Sequence, residues 1–368
     1  MIDTLKFAAW PAIAGLLAAL LILDRWVLPA GQAGGGASPT ADISYARAVN
    51  SASPSVVNIY TAKLVRARAP NPLRDMFQRR LPPQQRQRIE NSLGSGVIMT
   101  GAGHILTNNH VIAGADAIQV LLQDGRSARA SVIGTDAATD LAVLKVELDD
   151  LSPVQTADSD AVRVGDVVLA IGNPLGFGNS VTQGIVSALG RYGLQTDTYE
   201  NYIQTDAIIH QGNSGGALID TGGRLVGINT LIFTGAQGNR AATGIGISLA
   251  IPVNLALFVM DDLIKYGEVN RGYIGVGVVP VLTRSNAYVL RVTDVVEGGP
   301  AARAGMQPGD VITHVDNEQV RDGSRTLHRI ALLRPGEKVN VTVARGEESL
   351  DLEVIVRVPQ QQTGTELR

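Results

Sequence analysis

The feature that most limits what this chain can fold into is a long series of short β-branched runs, each closed by a turn residue. Residues 55–61, 96–99, 104–107, 118–122, 128–133, 140–146 and 167–171 are rich in Val, Ile, Leu and Thr, with Gly, Asn, Asp or Pro between them. Several of these runs alternate apolar and polar residues, the period of a strand with one buried face. Further short runs follow at 184–188, 201–205, 217–220 and 225–229. Many short strands with regular turns predict a β-barrel or a pair of barrels. The high glycine count, 41 in 368 residues, fits such turns. Apolar residues then recur at helical spacing (Leu255, Phe258, Val259, Leu263, Ile264), which predicts a helix over 252–266 that closes this domain.

A chain of 368 residues is longer than one core usually serves, and a second unit begins near Arg271. Residues 273–279 read as a strand, and Pro300 to Ala304 as a small-residue helix. Residues 324–333 read as an amphipathic helix with Leu327, Ile330 and Ala331 on one face. Alternating strands are expected at 338–343 and 350–358. The expected organisation is therefore a β domain at 43–268, a small mixed domain at 271–358 and a polar, disordered tail at 359–368.

The N-terminus carries a different signal. Residues 7–23 form an uncharged, mostly Ala, Leu and Ile run, with Lys6 before it and Asp24-Arg25-Trp26 after it. Its length is at the lower limit for a membrane-spanning helix, and Val27, Leu28 and the interfacial Trp10 and Trp26 extend it. The competing reading is a cleaved signal peptide with Gly31-Gln32-Ala33 as the small residues of a cleavage site. The run is long for a signal core, and Asp24 and Arg25 stand between it and that site. An uncleaved anchor over 1–28 is the preferred expectation, followed by a flexible Gly/Ala/Ser/Pro linker at 29–42. Either reading exports the bulk of the chain. Residues 65–90 hold Arg66, Arg68, Arg74, Arg79, Arg80, Arg86 and Arg88 among prolines and glutamines, and read as a long solvated loop.

Composition excludes several classes of function. The net charge of −3 argues against a nucleic-acid partner. The absence of cysteine rules out disulfides, thiolate metal sites and a cysteine nucleophile. No cofactor and no metal are expected.

What remains is a set suited to acyl transfer. Ser214 sits in Gly212-Asn213-Ser214-Gly215-Gly216, where glycines let consecutive N–H groups face one side of a turn. Such N–H groups beside a nucleophilic oxygen are what an oxyanion hole needs. A serine hydroxyl becomes a nucleophile when a neutral imidazole takes its proton, and a carboxylate fixes the tautomer of that imidazole. His110 follows Thr107-Asn108-Asn109, and Asp140 opens an alternating run. The chain order His, Asp, Ser is a known order for this arrangement. The other histidines have plainer readings: His104 and His210 as strand-face or turn residues, His314 and His328 as surface or groove-rim groups. Asp136 competes with Asp140, but Ala137-Ala138-Thr139 places it in the turn before the strand.

Several motifs together resemble one family. They are Thr107-Asn108-Asn109-His110-Val111, Asp140-Leu141-Ala142-Val143-Leu144-Lys145, Ile171-Gly172-Asn173-Pro174, Thr182-Gln183-Gly184, Gln204-Thr205-Asp206-Ala207 and 212–218. They are similar to those of the HtrA/Deg proteases, chymotrypsin-fold serine proteases that carry PDZ domains. Tyr273-Ile274-Gly275-Val276, residues 299–305 and residues 308–312 resemble a PDZ domain. The resemblance implies an all-β, chymotrypsin-like double β-barrel protease followed by a small α+β PDZ domain, behind an N-terminal transmembrane helix. It implies His110 as general base, Asp140 as its orienting partner and Ser214 as nucleophile, with an oxyanion hole from the backbone of Gly212, Asn213 and Ser214. It places Asn229, Thr230 and Leu231 near the substrate pocket. A C-terminal peptide would add as a strand beside residues 274–278, its carboxylate caught by N–H groups of Tyr273, Ile274, Gly275 and Val276, with Leu327 and Ile330 lining the side-chain pockets.

One PDZ domain and an anchor point to the DegS-like branch. That branch implies a homotrimer on the bacterial inner membrane, facing the periplasm. It would be activated by C-terminal peptides of misfolded or outer-membrane proteins and would cut the periplasmic domain of an anti-sigma factor. Some anchored members carry a regulatory arginine where this chain has Tyr199, and Gln211 replaces a commonly basic residue.

Overall fold

The computed structural model describes residues 44–66, 87–173, 178–191, 199–210, 212–232, 247–282, 288–320 and 323–358. The expected anchor at 1–28, the linker at 29–42, Gln211 and the tail at 359–368 lie outside them. Among the described residues no helix is long and apolar enough to cross a membrane. From Ala46 on, the described residues form one compact unit.

A short helix α1 (Ala46–Ala52) leads into β1 (Val56–Arg66), which pairs along its full length with β2 (Gln87–Ile98). The pairing runs from Val56↔Val97 to Arg66↔Gln87, so the ends of the expected 65–90 loop are strand, and residues 67–86 lie outside the described part. β3 (His104–Asn108), β4 (Ala117–Leu121), β5 (Ser127–Arg129), β6 (Ser131–Asp136) and β7 (Leu141–Lys145) complete a seven-stranded sheet in the order β5-β4-β1-β2-β3-β7-β6. Its hydrogen-bonded path does not close among the described residues, whereas a closed barrel was expected. Val57, Ile59, Ile98, Ile105, Ala142 and Leu144 fill its core, all fully buried.

The second half does close. β8 (Val167–Gly172), β9 (Ser180–Arg191), β10 (Tyr202–Thr205), β11 (Ala217–Asp220), β12 (Leu225–Ile232) and β13 (Ser248–Pro252) form a barrel in the order β10-β13-β12-β11-β8-β9. β8, β11 and β13 are buried almost throughout, which accounts for their near-continuous apolar sequences. Helix α3 (Val253–Tyr266), which follows the one-turn helix α2 (Asn109–Ile112), ends on Gly267 in the left-handed region and packs on β6, β7, β12 and β13.

The small domain is a sheet of order β14-β15-β16-β18-β19, with β17 (Glu318–Gln319) beside β16. Its strands are β14 (Val276–Leu282), β15 (Tyr288–Val295), β16 (Val311–Val315), β18 (Lys338–Arg345) and β19 (Glu348–Ile355), with helices α4 (Pro300–Arg303) and α5 (Gly323–Ala331). The strand expected from Tyr273 begins three residues later. Gly275 takes φ 77°, and Tyr273 instead exchanges backbone bonds with Arg357 at 2.7 and 3.0 Å.

Candidate active site

The four residues at the centre of the site come from both halves of the β domain. His110 lies in the one-turn helix α2, which follows directly on β3, and Asp140 occupies the turn before β7. Asp140 holds φ 56°, a left-handed conformation that Asp tolerates better than most side chains. Asn109 N–H and Asn108 Nδ2 both donate to the Asp140 carbonyl at 3.0 Å, which ties this turn to the start of α2. Asp140 Oδ1 accepts from His110 N–H at 2.9 Å, and Oδ2 lies 2.6 Å from His110 Nδ1. Two bonds from one carboxylate therefore fix both the backbone and the ring. With Nδ1–H donating to the carboxylate, Nε2 keeps its lone pair and can accept a proton.

Ser214 and Thr230 come from the closed barrel. Thr230 Oγ1 donates to Asp140 Oδ2 at 3.1 Å, and the Thr230 carbonyl accepts from Ser214 Oγ at 3.2 Å. Thr230 thus links the acid to the serine. No hydrogen bond joins Ser214 Oγ to His110 among the described residues, so the hydroxyl must leave the Thr230 carbonyl to donate to Nε2. The Tyr202 hydroxyl is pushed up to about 12 by burial, then by the Glu200 and Asp140 carboxylates, and stays a neutral phenol beside the site.

The backbone of the Ser214 turn is almost fully committed. Gly212 O accepts from Ser95 Oγ, Asn213 N–H donates to His210 O at 2.9 Å, and Asn213 O accepts from Gly216 N–H at 3.0 Å. Ser214 O accepts from Ser95 N–H at 2.9 Å, and Gly215 N–H donates to Asn229 O at 2.8 Å. Among the described residues, the N–H groups of Gly212 and Ser214 have no acceptor. Buried polar backbone groups are normally paired, so two free neighbouring donors mark a place for a negatively charged oxygen. Asn213 N–H, expected as a third donor, is occupied by His210 O.

The other expected positions divide. Asn229 is fully buried, and its Nδ2 donates to Ile171 O and Ala217 O, cross-linking β8 and β11 instead of facing a pocket. The side chain of Leu231 lies outside the described ones. Asp136 ends β6 and is buried against Thr139 and Arg271, not placed in a turn. His104 bonds Thr100 Oγ1 at 2.9 Å and His210 is exposed, as their plainer readings required. His328 is partly buried near Asp160 and Arg271, and burial pushes its pKa down to about 4, Asp160 opposing the shift and Arg271 adding to it.

In the small domain β14 is an edge strand, open to pairing by another chain. Ahead of it the N–H groups of Ile274 and Gly275 have no acceptor among the described residues, while Tyr273 N–H is taken by Arg357 O. The side chains of Ile274 and Ile330 are buried in the domain core, and that of Leu327 lies outside the described ones. Missed from sequence were Ser95, Asn108 and the Thr230 link to the acid. The glycines flanking Ser95 were a signal of close packing that could have drawn attention to it.

Residues 94–228 match the family model of a trypsin-like peptidase domain, and residues 272–356 that of a PDZ domain. The chain is 42% identical over 323 residues to serine endoprotease DegS of Escherichia coli strain K12, covering 85% of this chain and 86% of that protein. It is 42% identical over 346 residues to a probable periplasmic serine endoprotease, DegP-like, of Pseudomonas fulva, covering 86% of this chain and 71% of the relative. Among solved structures, the HtrA-type protease AlgW with a tripeptide matches with a TM-score of 0.68 at 44% identity, over 86% of this chain and 98% of that one.

Proposed function

This chain belongs to the HtrA-type serine endoproteases, and from that premise we propose that it is a membrane-anchored, periplasmic protease switched on by C-terminal peptides. In this reading His110 Nε2 takes the proton of Ser214 as its oxygen attacks the scissile carbonyl. Asp140, steadied by Thr230, stabilises the imidazolium that results. The oxyanion forms against the N–H groups of Gly212 and Ser214, and His110 then protonates the leaving amine. Water completes the reverse sequence on the acyl-enzyme. The observation that carries this reading is the Ser214 turn, in which the N–H groups of Gly212 and Ser214, on either side of the occupied Asn213 N–H, lack acceptors among the described residues.

An extended C-terminal peptide would pair with the free edge of β14, its carboxylate received by the Ile274 and Gly275 N–H groups. Support comes from the similarity to AlgW, solved with a tripeptide and with a decapeptide. The proposed substrate is the periplasmic domain of an anti-sigma factor, cut by a homotrimer held at the inner membrane through residues 1–28. A second reading, a general quality-control protease of the periplasm, draws on the equal identity to a DegP-like relative. The two are separated by measuring cleavage of casein and of an anti-sigma periplasmic domain, with and without hydrophobic C-terminal peptides. Peptide-dependent cleavage confined to the anti-sigma domain supports the first, and peptide-independent casein degradation the second. Ser214→Ala should abolish cleavage and leave peptide binding intact. Persistent hydrolysis in that variant removes the assignment.

A further inference from the structure

We propose that Ser95 is a positioning residue for the oxyanion hole, its hydroxyl setting the orientation of the Gly212 carbonyl and so of the turn that presents the two free N–H groups. This deepens the proposed function and rests on Ser214 as the nucleophile.

Ser95 belongs to β2, in the half of the domain that carries His110, and is wholly buried. All of its polar groups are engaged. Oγ donates to Gly212 O at 2.7 Å and accepts from Asn173 N–H at 3.0 Å. Its N–H donates to Ser214 O at 2.9 Å, and its carbonyl accepts from Thr107 Oγ1 at 2.7 Å. One residue therefore holds the carbonyls at both ends of 212–214, while Asn213 between them is tied to His210 and Gly216. Asn173 ends the segment after β8, so the same hydroxyl bridges three separated stretches of chain.

The geometry explains why a hydroxyl is needed there. A peptide unit is planar, so holding the Gly212 carbonyl also holds the Asn213 N–H, and this unit lies between the two that carry the free N–H groups of Gly212 and Ser214. Gly212 has φ 99°, and glycine places little resistance on rotation of the units either side of its Cα. Within the turn, the Gly212–Asn213 unit is held at its N–H end by the Asn213 bond to His210 O. Ser95 holds its carbonyl end from outside the turn. Without the hydroxyl, that carbonyl and Asn173 N–H both lose a buried partner, and the unit between the two donor-bearing units keeps only the Asn213 N–H bond to His210 O. The fit is close as well. A Cβ at Gly215 would collide with Ser95 O and Thr107 Oγ1, and one at Gly172 would come within 2.7 Å of Asn213 Cα. The turn thus sits in a fixed seat and Ser95 Oγ sets its tilt.

The test uses the full chain in detergent and the fluorogenic library peptide that the wild type cleaves fastest. Ser95→Ala should lower kcat by about tenfold to a hundredfold, less than outright loss of an oxyanion donor, with KM within about twofold of wild type. Ser95→Cys, of similar size with a weaker donor, should fall between the two. A role confined to folding would lower the melting temperature without this split between kcat and KM. A folded Ser95→Ala protein with kcat within about twofold of wild type, or a loss lying wholly in KM, overturns the proposal. If Ser95→Ala does not fold, Ser95→Cys is read by the same criteria. An active Ser214→Ala protein would instead sink the nucleophile assignment on which this rests, whereas an inert Ser214→Ala beside a fully active Ser95→Ala overturns the Ser95 proposal alone.

Discussion

At the residue scale the site depends on what Asp140 accepts. Its carboxylate receives the His110 N–H, the His110 ring and the Thr230 hydroxyl. Asp140→Asn replaces one oxygen with an NH2 that cannot accept from Nδ1–H, so the ring turns to the tautomer that carries its proton on Nε2. The expected result is a fall in kcat of about 10³- to 10⁴-fold with the fold retained, checked by steady-state peptide hydrolysis beside circular dichroism. His110, Asp140 and Ser214 could be proposed from the sequence because each has a local setting that suits its chemistry and lies in a motif similar to those of the family. Ser95 and the Thr230 link were not, because their importance lies in partners far along the chain. Ser95 is 117 residues from Gly212 and Thr230 is 90 from Asp140, and no local pattern records such pairings. Asn213 was misread for a similar reason, since a consecutive N–H looks available until the carbonyl of His210 is placed.

At the scale of elements, hydrophobic period located most strands, and helix α3 begins within a residue of its expected start. The errors fall where a backbone special or a distant partner intervenes. Gly275 at φ 77° delays β14, and pairing with β1 draws residues 87–90 out of an apparent loop into strand. Asp136 ends a strand because β7 pairs with it, and Arg271 and Thr139 compensate its burial. Helix α5 carries the pH-sensitive group. The His328 pKa of about 4 lies below the ordinary 6.5, so the unfolded chain binds the extra proton between those values. Its contribution to stability is therefore full above about pH 6.5 and is lost as pH falls toward 4. Thermal unfolding at pH 7.5 and pH 4.5 should show a smaller acid loss for His328→Gln than for wild type. Equal losses in the two proteins would contradict the burial of this ring.

At the scale of the whole molecule, the small domain is fastened to the protease half by arginines. Arg271 pairs with Asp136 and stacks on Tyr199 at 4.5 Å. Arg334 pairs with Asp261 at 3.3 Å and with Asp262, and lies 4.1 Å over the Phe258 ring. Asp262 is wholly buried, with Asn270 N–H donating to its other oxygen at 2.8 Å. Arg334→Met keeps the stem over Phe258 and removes the charge, leaving that carboxylate short of a partner. Arg334 is itself partly exposed, so the expected cost is about 2 kcal/mol, below the full penalty for breaking a buried pair. A drop in the urea midpoint at unchanged slope would measure it, and a midpoint unmoved would show that solvent already reaches Asp262. The Thr230 link has a further consequence at this scale. The proposed base and acid ride on one half of the protease and the proposed nucleophile on the other, and Thr230 joins the acid to the serine across the seam. A copy whose halves have parted has no assembled cutting centre, so damage disarms this protease instead of loosing it on its neighbours.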